Sequence, residues 1–179
     1  MMKIVDITRE MQGFDEIEHL QTVSFPPEEN FPMEQLLRLA ESPNTEYKSF
    51  WEGDQLCGLL HYNVGDTMMY LFYIAIPASL QSQGYGTKLL RWLKDTYPDK
   101  AIVGNTEPLG IGADNEEQRI RRMDFYWKNG FHKIDCQLLD DTGLYDIISS
   151  ADPSEAFDTE EFMRLLYELE FEAINPRIV

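Results

Sequence analysis

Leu71-Phe72-Tyr73-Ile74-Ala75-Ile76, stopped by Pro77, is followed by Gln81-Ser82-Gln83-Gly84-Tyr85-Gly86-Thr87 and then by Lys88-Leu89-Leu90-Arg91-Trp92-Leu93. The first run is apolar and of strand length. The last places apolar residues at helical spacing. A strand, a glycine-bearing turn and a helix start in that order make an anion cradle. Successive backbone N–H groups converge there, and the positive end of the helix dipole points at the bound group. Glycine at 84 and 86 lets a phosphate approach the backbone where a β-carbon would obstruct it.

Outward from this turn the pattern alternates between the two periods. Lys3 to Arg9 reads as a first strand, and Phe14 to Ser24 as a helix ended by Phe25-Pro26-Pro27. Pro32 opens a second helix with Met33, Leu36, Leu37 and Ala40 on one stripe. Tyr47 to Trp51 and Leu56 to Val64 form a hairpin around Glu52-Gly53-Asp54, and Gly65-Asp66 turns into the strand Met68 to Ile76. The helix after the glycine turn runs from about Gly84 to Tyr97. Ala101-Ile102-Val103 begins a strand that runs out toward Glu107 and Pro108. A helix from about Asn115 to Asn129 follows, with Asp114 and Glu117 as its capping box and Gly130 as its stop. Phe131 to Leu139 and Leu144 to Ser149 make a closing hairpin around Asp140 to Gly143. The last helix, after Asp158, buries Phe162, Leu165, Leu166 and Leu169. Strands bunched in the middle with helices between some of them indicate a mixed α/β layer fold.

The chain has 179 residues, 43% of them hydrophobic, which suits one domain with a proper core. Its two cysteines, Cys57 and Cys136, lack partners at metal-ligand spacing; they read as small apolar fillers, fit a reducing compartment and argue against a zinc site. No signal-like or membrane-length apolar run is seen, so a soluble cytoplasmic protein is expected. The formal net charge of −17 argues against nucleic acid and would suit a cationic or amine-bearing substrate, or serve solubility alone. Much of the acid lies between Asp152 and Glu172 and reads as a solvated helix face.

The helix from Asn115 carries a second constellation. At about 100° per position, Glu117, Arg121, Asp124 and Lys128 fall on a solvent face. Ile120, Met123 and Trp127 form an apolar flank, with Phe125 on the other side. Asn115, Arg119, Arg122 and Tyr126 share one inward stripe. Buried polar groups left unpaired cost about 1–3 kcal/mol each, so this stripe faces carboxylates, a ligand or both. An Arg–carboxylate network that only pins the helix to the sheet satisfies the same requirement.

Gln81-Ser82-Gln83-Gly84-Tyr85-Gly86 resembles the Gln/Arg-x-x-Gly-x-Gly/Ala signature of the GCN5-related N-acetyltransferases, the GNAT superfamily. Phe125-Tyr126-Trp127-Lys128-Asn129-Gly130-Phe131 is similar to the Phe-Tyr-x-x-x-Gly-Phe that follows it in many members, and the element order from Lys3 to Ser149 matches that family's plan. The resemblance implies a mostly antiparallel central sheet flanked by helices, with a V-shaped splay between the fourth and fifth strands. It places an acetyltransferase domain over 1–150 and a C-terminal acidic segment with a terminal helix, packed on the same domain, over 151–179.

It also implies acetyl-CoA as cosubstrate, with the pyrophosphate on the amides from Gln81 through Ser82, Gln83, Gly84, Tyr85 and Gly86 to Thr87. Pantetheine would use backbone groups near Ile74 and Ile76, and Asn115 would add a cofactor contact. Tyr126 is cast as the proton donor to the departing thiolate, a backbone N–H near Ile76 as the oxyanion partner, and Glu107, or water, as the base. Glu107 merely pairing with Arg119 or Arg122 is the alternative. Gln81 in place of the commoner Arg removes a charge from the cradle but leaves its amides. The acceptor would be a primary amine of a small molecule or peptide, received by direct transfer in a ternary complex. The loop Pro108 to Ala113 would form part of its mouth, and Phe25-Pro26-Pro27-Glu28-Glu29 the opposite wall. A homodimer is compatible with the plan, as is a non-catalytic acyl-CoA-binding module. No metal, nucleic acid or membrane is expected.

Overall fold

In a computed structural model we describe residues 2–27 and 29–179, leaving aside the side chains of residues 172 and 173. Glu28, one of the two carboxylates of the expected acidic wall, lies outside the described residues. The chain divides into two compact units, Met1–Val64 with Leu71–Pro98, and Gly65–Tyr70 with Asp99–Val179.

The first unit contains β1 (Lys3–Asp6), α1 (Phe14–Ser24), α2 (Met33–Leu39), β2 (Thr45–Glu52), β3 (Gln55–Val64), most of β4 (Met68–Ala75) and α3 (Tyr85–Thr96). Its strands lie in the order β1-β2-β3-β4, with β2 antiparallel to both β1 and β3. β3 is buried along nearly its whole length, as a central strand covered on both faces must be. Ile17, Leu20, Leu36, Tyr47, Leu59 and Tyr73 belong to the core on the side of α1 and α2. Leu89, Leu90 and Leu93 of α3 are fully buried, and Trp92 meets Phe50 edge-on at 5.1 Å. Each such side chain contributes about 1.5–3 kcal/mol by leaving water.

The second unit holds the root of β4 with β5 (Ala101–Thr106), α4 (Glu116–Lys128), β6 (His132–Asp140), β7 (Gly143–Ser149), α5 (Thr159–Glu168) and β8 (Arg177–Ile178). Its strand order is β4-β5-β7-β6-β8. β4 and β5 are parallel, and their ladder runs only from Met68↔Ala101 to Tyr70↔Val103, although β4 continues through Ala75 and β5 through Thr106. The other pairs in this unit are antiparallel. The architecture is therefore mixed α/β, mostly antiparallel, with one parallel pair at the fourth and fifth strands.

Helix ends explain two outcomes. α4 stops as expected: Gly130 has φ 82°, its N–H reaches the Trp127 carbonyl and the Phe131 N–H reaches that of Tyr126, a Schellman pair of bonds. Its start differs from expectation. Asn115 holds the N-cap place without a side-chain cap, so the Asp114–Glu117 capping box is not made. α5 is capped by Asp158, whose carboxylate accepts from the N–H groups of Glu160 and Glu161 at 3.0 and 2.9 Å. Phe162, Leu165, Leu166 and Leu169 are all fully buried. The flank of α4 is less apolar in setting than its sequence reads: Met123 is buried, while Ile120 and Trp127 remain exposed.

Candidate functional site

In the first unit β4 ends at Ala75, a short 3-10 turn spans Ala78–Leu80, and the chain reaches α3 through Gln81 to Gly84. Ser82 has φ 61° and the N-cap Gly84 φ 84°, two left-handed positions that turn the peptide planes. A β-carbon built on Gly84 meets nothing within 4 Å, so the backbone borders open space. The first intrahelical bond is Lys88 N–H to Gly84 C=O at 3.0 Å, which leaves the N–H groups of Tyr85, Gly86 and Thr87 ahead of the ladder, and the N-cap glycine has no side chain to cap them. Gln81 and Gln83 turn away from these amides, donating to the Ile76 carbonyl at 3.3 Å and the Ser79 carbonyl at 2.7 Å. Ile74 and Ile76 are half-buried.

Tyr85, between the two glycines, is tethered. Its hydroxyl donates to Glu52 Oε2 at 2.9 Å, and Lys88 Nζ sits 4.3 Å from its ring centroid and 3.4 Å from Glu52 Oε1. The Tyr85 hydrogen bond, helped by Lys88, holds the Glu52 carboxyl below its ordinary range, and the same bond pushes the Tyr85 phenol up. Glu52 comes from the tip of the β2–β3 hairpin, far from the turn in sequence. Only Lys88, one turn into the helix, signalled locally that an anionic partner was needed.

In the second unit the inward stripe of α4 finds a carboxylate. Glu107, just past β5, accepts from Arg119 Nη2 at 2.9 Å and Asn115 Nδ2 at 3.4 Å on Oε1, and from Arg122 Nη1 at 2.7 Å on Oε2. Arg119 also reaches Asn115 Oδ1 at 2.7 Å and the Pro108 carbonyl at 3.1 Å. The Gly110 N–H donates to Glu116 Oε1 at 2.6 Å, which ties the glycine loop to the helix start. Asn115 is thus spent on Glu107 and Arg119, the physical reason it does not cap α4. Tyr126 is buried, with ring centroids of Phe125 and Phe131 each 5.2 Å away. Burial pushes its phenol up, and the nearby Arg122 charge offsets only part of this. Tyr70 donates to Asn105 Oδ1 across the β4–β5 root, a contact absent from the sequence reading.

The structure thus brings Glu107, Asn115, Arg119 and Arg122 into one network, and the residues from Gln81 to Thr87 into one amide-lined turn. Cys57 and Cys136 are free thiols whose ionisation burial opposes. Among the described residues no group of three or more His, Cys, Asp or Glu side chains could hold a metal, and no helix is long and apolar enough to cross a membrane.

A mixed sheet with its one parallel pair at β4–β5, and a glycine turn leading from β4 into the following helix, define an acyltransferase fold. The chain belongs to the Acetyltransferase (GNAT) family, whose sequence model matches residues 14–131. Among solved structures it is similar to a GNAT-family protein from Bacteroides thetaiotaomicron, with 22% identity, a TM-score of 0.70 and coverage of 96% of this chain and 98% of that one. A protein from Arabidopsis thaliana in complex with the bisubstrate analogue CoA-Ac-MVNAL is similar at 15% identity and TM-score 0.59, over 84% of this chain and 99% of that one. An aminoglycoside 6'-N-acetyltransferase from Enterococcus faecium is similar at 16% identity and TM-score 0.60, over 86% and 99%. A comparison with curated proteins found no match. At these identities the neighbours speak to fold alone.

Proposed function

We propose that this chain is an acetyl-CoA-dependent N-acetyltransferase acting directly on a primary amine of a small molecule or peptide. The observation that carries the reading is the turn at Gly84: three helix-start N–H groups without a cap, beside open space, with the flanking glutamines folded away. Such a turn fits a pyrophosphate by its amides and dipole, without a cationic side chain at position 81. When bound, acetyl-CoA supplies an activated acetyl thioester.

In this proposal the amides from Gln81 to Thr87 hold the pyrophosphate, and backbone groups near Ile74 and Ile76 orient the pantetheine as an added strand. The Gln81 side chain already satisfies the Ile76 carbonyl and can yield it. Tyr126 holds a proton on its hydroxyl for the leaving sulfur, and its raised pKa keeps that proton in place at neutral pH. Asn115, whose Nδ2 keeps a second N–H beyond its 3.4 Å bond to Glu107, is assigned a polar contact with the coenzyme. A water on the lone pair of Glu107 Oε2 that Arg122 leaves open takes the acceptor's proton and passes one of its own to that oxygen, since Oε1 already accepts from Arg119 and Asn115. The acceptor is drawn in by the negative field of a chain with net charge −17.

The test is a thermal melt with acetyl-CoA. At a hundredfold excess over Kd the wild-type chain gains about 2.7 kcal/mol, a rise of roughly 5–10 °C for a chain of this size. Gly86→Glu adds a carboxylate to the first turn of α3, where it suits the helix dipole but repels a phosphate. The expected result is a folded variant with no coenzyme-dependent shift. Absence of any shift in the wild-type chain at saturating acetyl-CoA sinks the cofactor assignment.

A further inference from the structure

The C-terminal segment lies beyond the family match, which ends at residue 131, and its acid read from sequence as a solvated face. Glu161 departs from that reading. It is 6% exposed, and its carboxylate is turned into the root of β4. Oε1 accepts the N–H groups of Asp66 and, at 2.9 Å, Thr67, with the Met68 N–H at 3.5 Å, while Oε2 accepts the Thr67 hydroxyl at 2.5 Å. Gly65 makes the approach possible, since a β-carbon there would stand 2.3 Å from Glu161 Oε1.

The remaining backbone groups of this root are also assigned. The Gly65 N–H goes to the Met68 carbonyl at 2.8 Å, and the Thr67 carbonyl takes the Ala101 N–H at 3.1 Å. Lys100 Nζ donates to the carbonyls of Gly65 and Asp66, both at 2.8 Å. Arg164 pairs with Asp66 at 2.8 Å and lies 3.7 Å from Glu161. A buried carboxylate is costly unless fully hydrogen-bonded, and here it is. It occupies the place where β4 has only the short ladder Met68–Tyr70 to β5 before it runs on as Leu71–Ala75. Its other edge is bonded to β3, so on the β5 side this root alone fixes the strand, and a shift here would displace the backbone groups that Leu71–Ala75 offer.

We infer that Glu161 is a positioning residue for β4, so that the C-terminal helix sets the placement of the strand proposed to carry the coenzyme. The inference rests on the coenzyme reading of β4 given above. It acts through the backbone of Asp66, Thr67 and Met68 and touches no reacting atom.

The test uses the full chain as wild type, Glu161→Gln, Thr67→Val and Thr67→Ser. Thr67→Val deletes one bond to Glu161 at nearly constant volume, and Thr67→Ser restores it; this pair carries the test if Glu161→Gln does not fold. Hydrogen exchange without ligand reads the strand itself. The expected result is faster exchange of the Leu71–Ala75 amides in Glu161→Gln and Thr67→Val, with wild-type rates in Thr67→Ser and unchanged rates in β2. Titration with acetyl-CoA by calorimetry should show roughly tenfold weaker binding in the first two variants, the scale of a small misplacement of a binding backbone. Unchanged exchange at Leu71–Ala75 overturns the inference, as does a lowered Tm with wild-type acetyl-CoA affinity, which would leave Glu161 a stabilising contact only. Wild-type chain that fails to bind acetyl-CoA at all sinks the coenzyme reading, and the functional half of the inference with it; the exchange result then decides the placement of β4 alone.

Discussion

Tyr126 combines a fixed ring with a phenol held in its protonated form. Its ring is wedged beside Phe125 and Phe131, which fixes its direction, and burial raises the pKa of its hydroxyl. A phenol so placed remains a donor throughout the neutral range and is a poor base. Arg122, close enough to temper that shift, is itself held by Glu107 at 2.7 Å, so the ion pair limits how far the arginine can lower the phenol's pKa. Tyr126→Phe keeps the ring and removes only the hydroxyl that carries the proton. Turnover, followed as thiol release with an amine selected from a panel of polyamines, aminoglycosides and peptides, should fall by roughly a hundredfold or more, the range of general acid catalysis. Acetyl-CoA affinity should stay within about twofold, since a donor used only as the thiolate leaves is not a ground-state binder. Equal loss of turnover and affinity would return Tyr126 to a structural role.

The elements that present these residues are held chiefly by their ends. α4 must stop at Lys128 for Phe131 to pack on Tyr126, and it stops because Gly130 adopts φ 82° and closes the Schellman bonds. Gly130→Ala should cost about 1–2 kcal/mol for a left-handed alanine, a fall in Tm of roughly 2–8 °C. An unchanged Tm would show that the helix end is fixed by packing instead. Ends of this kind were legible in the sequence because they are local: Gly130 after an amphipathic run, Asp158 before another, and the prolines after Ser24. α1 appears over the residues that the periodicity assigned, and so do the buried side chains of α5. What was not legible depends on partners distant in the chain. The Asp114–Glu117 box satisfied a local rule but lost to Asn115, which is drawn to Glu107 and Arg119. β8 is a two-residue strand that exists because the edge of β6 accepts it, and β6 shifts register between Lys133 and Gln137. Neither leaves a periodic trace. The amide turn could be read from glycine spacing, whereas Glu52 on Tyr85 and Glu161 on Thr67 could not, because a single carboxylate looks the same solvated or buried.

Across the whole molecule, 32 acidic against 15 basic side chains make pH the natural probe of what holds the chain together. Carboxylates titrate mostly near pH 4, so between pH 7.5 and about 5.5 the net charge from acids changes little and repulsion is nearly constant. A stability change inside that window must come from elsewhere, and His61 supplies it. It is fully buried, its Nε2–H donates to the Leu36 carbonyl at 3.3 Å, and its Nδ1 is buried without a partner. Burial lowers its pKa from 6.5 to about 4, only partly opposed by the bond to Leu36. Because the folded pKa is depressed, the unfolded chain binds the proton first. The stability of the neutral ring is therefore fully present above pH 6.5 and is lost as pH falls toward 4, a total of roughly 3 kcal/mol. Glu161 adds a separate and lower limb. Burial pushes its carboxyl up, but the bonds from Thr67, Asp66 and Met68 outweigh this and hold it below 4.5, so its contribution fades only below that pH. Urea unfolding at intervals from pH 7.5 to 5.5 should show the wild-type free energy declining through the upper part of the His61 window. His61→Phe, which keeps a ring among Tyr47, Phe72 and Tyr73 but cannot take the proton, should be less stable at pH 7.5 and flat down to pH 5.5. An acid limb of wild-type slope in His61→Phe would place the titrating group elsewhere in the molecule.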